Sequence, residues 1–74
     1  MIGYKVEKSA QVKMEIYSIN GQKMNTLVNE RQQAGEYEFS WNGQSENGTR
    51  LSSGIYFGRL TIGNSSQVLK MIVQ

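Results

Sequence analysis

Apolar and polar residues alternate along most of this chain, most clearly in Gly35-Glu36-Tyr37-Glu38-Phe39-Ser40-Trp41. Tyr37, Phe39 and Trp41 fall on one side of a period-two strand and Glu36, Glu38 and Ser40 on the other, which is how a half-buried strand divides itself between core and water. The same period recurs upstream. Ile2, Tyr4 and Val6 alternate with Gly3, Lys5 and Glu7, predicting a first strand that ends in a polar turn at Lys8-Ser9. Val12, Met14 and Ile16 alternate with Lys13, Glu15 and Tyr17 in a second. Asn20-Gly21 suits a two-residue type I′ hairpin, whose central positions both need positive φ. The chain is expected to turn back there into a third segment, Gln22 to Asn29. Its Met24, Leu27 and Val28 fit a strand with a bulge better than a single helical turn.

Glu30 to Ala34 is polar and reads as a loop, closed by Gly35 before a fourth strand, Glu36 to Trp41. Between Asn42 and Ser53 the pairs Asn42-Gly43 and Asn47-Gly48 and the run Ser52-Ser53-Gly54 are turn signals too dense for a regular element. They leave room only for a short strand at Thr49-Arg50-Leu51. Gly54 to Ile62 is the fifth main strand, with Tyr56, Leu60 and Ile62 on one face and Gly58 where another backbone or a large ring approaches. Gly54, closing a polar loop before a buried strand, is expected in a conformation that a Cβ disfavours. Gly63-Asn64-Ser65-Ser66 turns the chain into a last strand, Gln67 to Val73. Leu69, Met71 and Val73 share one of its faces; Val68, Lys70 and Ile72 share the other. Six or seven short strands, with no helical period and no internal repeat, predict an all-β fold. The expected form is a small antiparallel sandwich of immunoglobulin-like or fibronectin III-like type. Its core is expected to hold Trp41, Tyr56, Tyr4, Ile16 and Leu60, with Trp41 as the central ring.

Composition narrows the chemistry. Seventy-four residues make one domain, 1–74, with a stability of roughly 4–11 kcal/mol. The sequence contains no cysteine, histidine or aspartate, so a disulfide framework, a Ser-His-Asp triad and a Cys-His pair are excluded by inventory. Eight basic and six acidic residues are scattered along the chain without a phosphate-tracking run, which disfavours nucleic acid as a partner. No apolar span is long enough to insert in a membrane as a helix. Met1 to Lys5 lacks the form of a signal peptide, so an export signal is expected on a longer precursor. The abrupt start in a strand looks like a domain excised from such a precursor behind an added initiator methionine.

Candidate chemical groups read as ordinary surface. Glu36 and Glu38 stand about 7 Å apart on one strand face, a spacing seen in glycosidase carboxylate pairs, but neighbours on a solvent-facing strand do not flank a bond in a cleft. Ser52 and Ser53 have no histidine partner, and nothing in the sequence joins them to Lys70. The loop Asn42 to Gly48 alternates oxygen side chains as a calcium loop does, yet offers only the carboxylate of Glu46. Asn47-Gly48-Thr49 and Asn64-Ser65-Ser66 match the N-glycosylation pattern and mark exposed turns. Trp41 as an exposed platform could stack on a sugar, but sharing a face with Tyr37 and Phe39 makes it a core residue. The alternative functions are a structural Ig-like spacer and a carbohydrate-binding module of a multidomain extracellular protein. The latter needs exposed aromatics in a row, and only Tyr17 and Phe57 look outward by alternation. No enzyme, no metal and no cofactor is expected, and the domain is expected to be a monomer.

In order, the residues Ile2-x-Tyr4-x-Val6, Ala10-x-Val12-x-Met14-x-Ile16-Tyr17, Asn20-Gly21-Gln22-Lys23-Met24 and Leu27-Val28 form the first half of a pattern. It continues with Ala34-Gly35, Trp41-Asn42-Gly43, Gly48, Leu51-x-Ser53-Gly54-Ile55-Tyr56-Phe57, Arg59-Leu60 and Lys70-Met71-Ile72-Val73. This set resembles the type A C-terminal sorting domain of the bacterial type IX (Por) secretion system, and is similar, more distantly, to the Ig-like domain of the flagellar hook-capping protein. The resemblance implies a domain at the end of an exported enzyme or adhesin of a Gram-negative cell. An outer-membrane translocon would recognise it in the periplasm, and a sortase-like protease would remove it as the cargo reaches the cell surface or medium. It marks Gly21, Gly35, Trp41, Gly43, Gly48, Gly54 and Tyr56 as motif positions, and Lys70, Met71, Ile72 and Val73 as candidates for translocon recognition. There are two departures. No proline precedes the first strand, and the family's Trp-Asp-Gly is Trp41-Asn42-Gly43 here, which keeps the turn chemistry and removes a potential metal ligand.

Overall fold

A computed structural model describes residues 2–74. The chain forms six strands: β1 (Ile2–Val6), β2 (Ala10–Ser18), β3 (Lys23–Gln32), β4 (Gly35–Phe39), β5 (Gly54–Ile62) and β6 (Ser65–Val73). β1 and β4 pair as a two-stranded sheet, and the rest form a four-stranded sheet in the order β3-β2-β5-β6. All four pairings are antiparallel. The all-β antiparallel sandwich expected from the alternation is the fold.

Its core lies where the alternation placed the apolar faces. Val12, Met14 and Ile16 of β2, Tyr56 and Leu60 of β5 and Val73 of β6 meet Val6 and Phe39 of the small sheet. The largest fully buried side chains are Met14, Ile16, Leu60, Val6 and Val12, so the centre is aliphatic. Trp41 is therefore not the central ring. β4 stops at Phe39, two residues before it, and the indole is half-buried at the rim, edge-on to Tyr56 with ring centroids 5.6 Å apart. Tyr4 is likewise half-buried, stacked on Tyr37 at 5.7 Å, with its hydroxyl donating to Gln32 Oε1 at 2.8 Å. The phenol keeps its polar end at the rim because it needs a partner there.

β3 runs to Gln32, through residues whose polarity suggested a loop, and contains two irregularities. Met14 pairs with Val28 and Glu15 with Thr26, which leaves Leu27 unpaired; Ile16 pairs with Asn25 and Tyr17 with Lys23, which leaves Met24 unpaired. Each extra residue is a bulge. The bulges explain the imperfect alternation of this segment, because they allow Met24, Leu27 and Val28 all to pack against the core.

The two Asn-Gly pairs at Asn20 and Asn47 adopt one geometry, and it is not type I′. Gly21 has φ +88° and Gly48 φ +86°, while no residue other than glycine has positive φ among the described residues. The Gly21 N–H donates to the Ser18 carbonyl at 2.9 Å and the Ser18 N–H to the Gln22 carbonyl at 2.8 Å; Gly48 to Ser45 and Ser45 to Thr49 repeat this at 3.0 and 2.8 Å. Both are three-residue loops ending in a left-handed glycine, the next commonest solution after the two-residue hairpin. The expected strand at Thr49 to Leu51 is reduced to a single bridge, Gln44 with Arg50. Gly54 has φ +150° with open space where a Cβ would stand, so the restriction there is in the backbone alone.

Gly58 admits side chains rather than a backbone or a ring. A Cβ at this buried position would collide with the Met14 methyl group and stand 3.1 Å from Met71 Sδ. The glycine lets two methionines from the neighbouring strands meet across β5.

Candidate functional site

The outer face of the large sheet is built by the residues that alternate with the core. In register across β2, β5 and β6 it carries the rows Lys13-Thr61-Ser66, Glu15-Arg59-Val68 and Tyr17-Phe57-Lys70, followed by Ile55-Ile72. The face is thus divided. Near the Gly63-Asn64 turn it is polar. Toward the other end, half-buried Tyr17 and Phe57 join Ile55, Val68 and Ile72, the last two 65% and 64% exposed. A shallow depression runs between Tyr17, Phe57, Arg59 and Val68. Lys70 sits inside this apolar half with Arg59 at its border. The carboxylate of Glu15 is already engaged, accepting from Lys23 Nζ at 3.3 Å, and is buried on the central strand.

The backbone of β6 adds to this face. Ile62 and Ser65 flank the two-residue loop Gly63-Asn64, which has φ +59° at Gly63 only, the signature of a type II′ hairpin closed by a hydrogen-bonded pair. On the other side of β5, the Gly63 N–H donates to the Gln11 carbonyl at 2.9 Å, so by alternation Phe57, Arg59 and Thr61 bond β2 while Tyr56, Gly58, Leu60 and Ile62 bond β6. It follows that Ser65, Gln67, Leu69, Met71 and Val73 use their backbone groups toward β5. Ser66, Val68, Lys70 and Ile72 point theirs off the sheet edge. Among the described residues no hydrogen bond is made to these outward groups.

The four residues singled out at the end of the sequence are therefore split. Val73 is buried and Met71 half-buried, both toward the core, whereas Lys70 and Ile72 are exposed on the outer face. Gly43, with φ +78°, is buried against Val73, whose methyl carbons lie 3.5 and 3.6 Å from where a Cβ would be, so the Trp41-Asn42-Gly43 motif and the last strand meet. Trp41 Nε1 donates to the Gln44 carbonyl at 2.9 Å, and the Tyr56 hydroxyl donates to the Ser52 carbonyl at 2.8 Å, a return bond like that of a tyrosine corner. Gly35 opens β4 and Gly54 opens β5, where it pairs with Val73, and Gly21 and Gly48 sit in turns.

The remaining candidates stay apart. Glu36 and Glu38 are exposed on β4, register partners of Lys5 and Gly3 across an open surface. Ser52 and Ser53 are exposed loop residues. Among the described residues no group of three or more carboxylate, imidazole or thiol side chains is placed to hold a metal ion. What sequence reasoning left unassembled was the apolar half-face. Its signal was available in Ile55-Tyr56-Phe57 and Val68 to Val73, where apolar residues occupy both faces of a strand.

Fold and surface together define an Ig-like β-sandwich whose prominent feature is an exposed strand face. The chain matches the FlgD Ig-like domain family over residues 2–66 and belongs to that family. The match ends at Ser66, inside β6, so Lys70 to Val73 lie outside it. Searches among curated proteins and among solved structures find no match.

Proposed function

We propose that this Ig-like domain is a non-catalytic secretion signal, recognised by a type IX outer-membrane translocon and carrying an attached exported enzyme or adhesin to the cell surface or medium. The reading is supported by its resemblance to the type A sorting domains, whose ordered motif runs past the FlgD-like region and ends in Lys70-Met71-Ile72-Val73. The observation that carries it is the form of that last segment: Met71 and Val73 anchor β6 to the core, which leaves Lys70 and Ile72 presented outward on a firm support. Such a support would hold the recognised residues in fixed positions on a folded domain. On this reading the domain passes through the periplasm, its partners are the translocon and a sortase-like protease, its cargo is in cis, and it uses no cofactor.

The test is a reporter fusion expressed in a host with the secretion system. Lys70→Gln and Ile72→Ser should leave thermal stability within about 0.5 kcal/mol, as exposed substitutions do, and should hold the reporter in the periplasm. Normal export of both variants would remove β6 from recognition. A second reading, a structural Ig-like spacer within a multidomain extracellular protein, is favoured by the family match itself, which requires nothing of the last strand. The spacer predicts that the reporter is never exported through this system, whatever residue stands at 70.

A further inference from the structure

We propose that the free edge of β6 takes up an extended peptide segment of another polypeptide, with apolar and acidic side chains on one face, as a fifth strand of the large sheet. The inference rests on a juxtaposition. Ser66, Val68, Lys70 and Ile72 are the residues whose N–H and C=O groups point off the edge, and their side chains also stand on the outer face. Backbone bonding and side-chain direction share the period of two, so a strand added here gains both at once. Its main chain would satisfy a row of groups that otherwise face water. Its outward side chains would come to rest beside Val68, Lys70 and Ile72, next to the apolar surface of Ile55 and Phe57. This is strand addition, in which backbone bonds supply affinity and alternate side chains supply specificity.

Charge selects the occupant. Lys70 lies among apolar neighbours and Arg59 borders them, while Glu15 is held by Lys23. A partner strand that places a carboxylate opposite Lys70, with apolar residues opposite Val68 and Ile72, complements this face; a basic one does not. A second copy of this chain fits worse. Antiparallel pairing of two β6 strands over their full length sets Lys70 diagonal to the Lys70 of the copy, bringing like charges within reach of each other. The inference stands apart from the secretion reading, since a spacer could present the same edge, and its test measures no export.

The probes are two acetylated and amidated peptides, Thr-Val-Thr-Glu-Thr-Val-Thr and the same peptide with Lys in place of Glu, titrated into ¹⁵N-labelled protein. With the Glu peptide, amide exchange should slow at Ser66, Val68, Lys70 and Ile72 and stay unchanged at Gln67, Leu69 and Met71. The Glu peptide should bind about fivefold more tightly than the Lys peptide, the size of one cross-strand charge pair. Lys70→Glu, an exposed change checked for folding by its amide spectrum, should reverse that order. No slowing with either peptide at millimolar concentration would overturn the proposal, as would slowing at β1, β3 or β4 or a preference that Lys70→Glu leaves unchanged. Slowing that grows with protein concentration in the absence of peptide would also overturn it, by making a second copy the occupant.

Discussion

Along β3, the edge of the large sheet is broken by bulges at Leu27 and Met24 and is crossed near its start by the 42–53 loop, whose Glu46 N–H donates to the Met24 carbonyl at 3.0 Å. Asn25 Nδ2 reaches into the same loop, donating to the Gln44 carbonyl at 2.9 Å. Along β6, the opposite edge keeps nine residues in unbroken register with β5, and its charged side chain is Lys70. Bulges, charges and covering loops are the means by which proteins blunt a sheet edge against unwanted pairing. This chain applies bulges and a covering loop to one edge and leaves the other straight, with the single charge of Lys70 upon it. The difference teaches that edge protection is local and costs residues: β3 gives up two ladder positions, while β6 keeps every one of them and with it the ability to template a partner.

The contrast can be broken most severely through the backbone of β6. Gln67 and Val68 are both exposed, yet the Gln67 N–H bonds β5 and the Val68 N–H faces out. Gln67→Pro should cost about 2–3 kcal/mol, since it leaves the Leu60 carbonyl without its partner. Val68→Pro should cost about 1 kcal/mol or less, because proline is tolerated where a strand's N–H side faces solvent. Urea denaturation of the two variants measures the difference, and equal losses would deny that β6 has a bonded and a free set of amides.

A smaller effect tests the turns that flank the protected edge. Gly21→Ala and Gly48→Ala each place a Cβ in the left-handed region and should destabilise by about 1–2 kcal/mol. Their matching geometry predicts matching losses in melting experiments, with no steric contribution, since nothing lies within 4 Å of either Cβ position. Smaller still, Trp41→Phe keeps a ring against Tyr56 and loses the bond to the Gln44 carbonyl, for about 1 kcal/mol. The loop that covers β3 should then loosen, and faster amide exchange at Glu46 with no change along β6 would show it.

Much of this was legible in the sequence, and the failures have physical causes. Period-two alternation placed Val12, Met14, Ile16, Leu60 and Val73 inside and Lys70 and Ile72 outside, because burial on one face is what alternation records. It misplaced Trp41, since the alternation continues through Ser40 whereas β4 stops at Phe39, and beyond the strand the polypeptide no longer holds period-two side chains to one face. Asn20-Gly21 was recognised as a turn, but not its length, because both the two-residue and the three-residue loops need a left-handed glycine and differ only in whether asparagine joins it. The end of β3 was hidden by polarity. Glu30 and Gln32 fall on the same strand face there, and buried Gln32 accepts from Tyr4 and donates from Nε2 to exposed Glu30 Oε2 at 3.2 Å, a polar arrangement that no hydrophobic pattern reports. The divided outer face was hidden in another way. It is assembled across β2, β5 and β6 by register, and register is not written in any one strand.

The central claim is that β6 is an open edge with its backbone groups alternately used and free. Amide hydrogen exchange of the unliganded protein, read residue by residue along β6, tests it most directly. The account predicts slow exchange at Gln67, Leu69, Met71 and Val73 and fast exchange at Ser66, Val68, Lys70 and Ile72. Uniform protection from Ser66 to Val73 at low protein concentration would contradict it, because the edge would then already be covered.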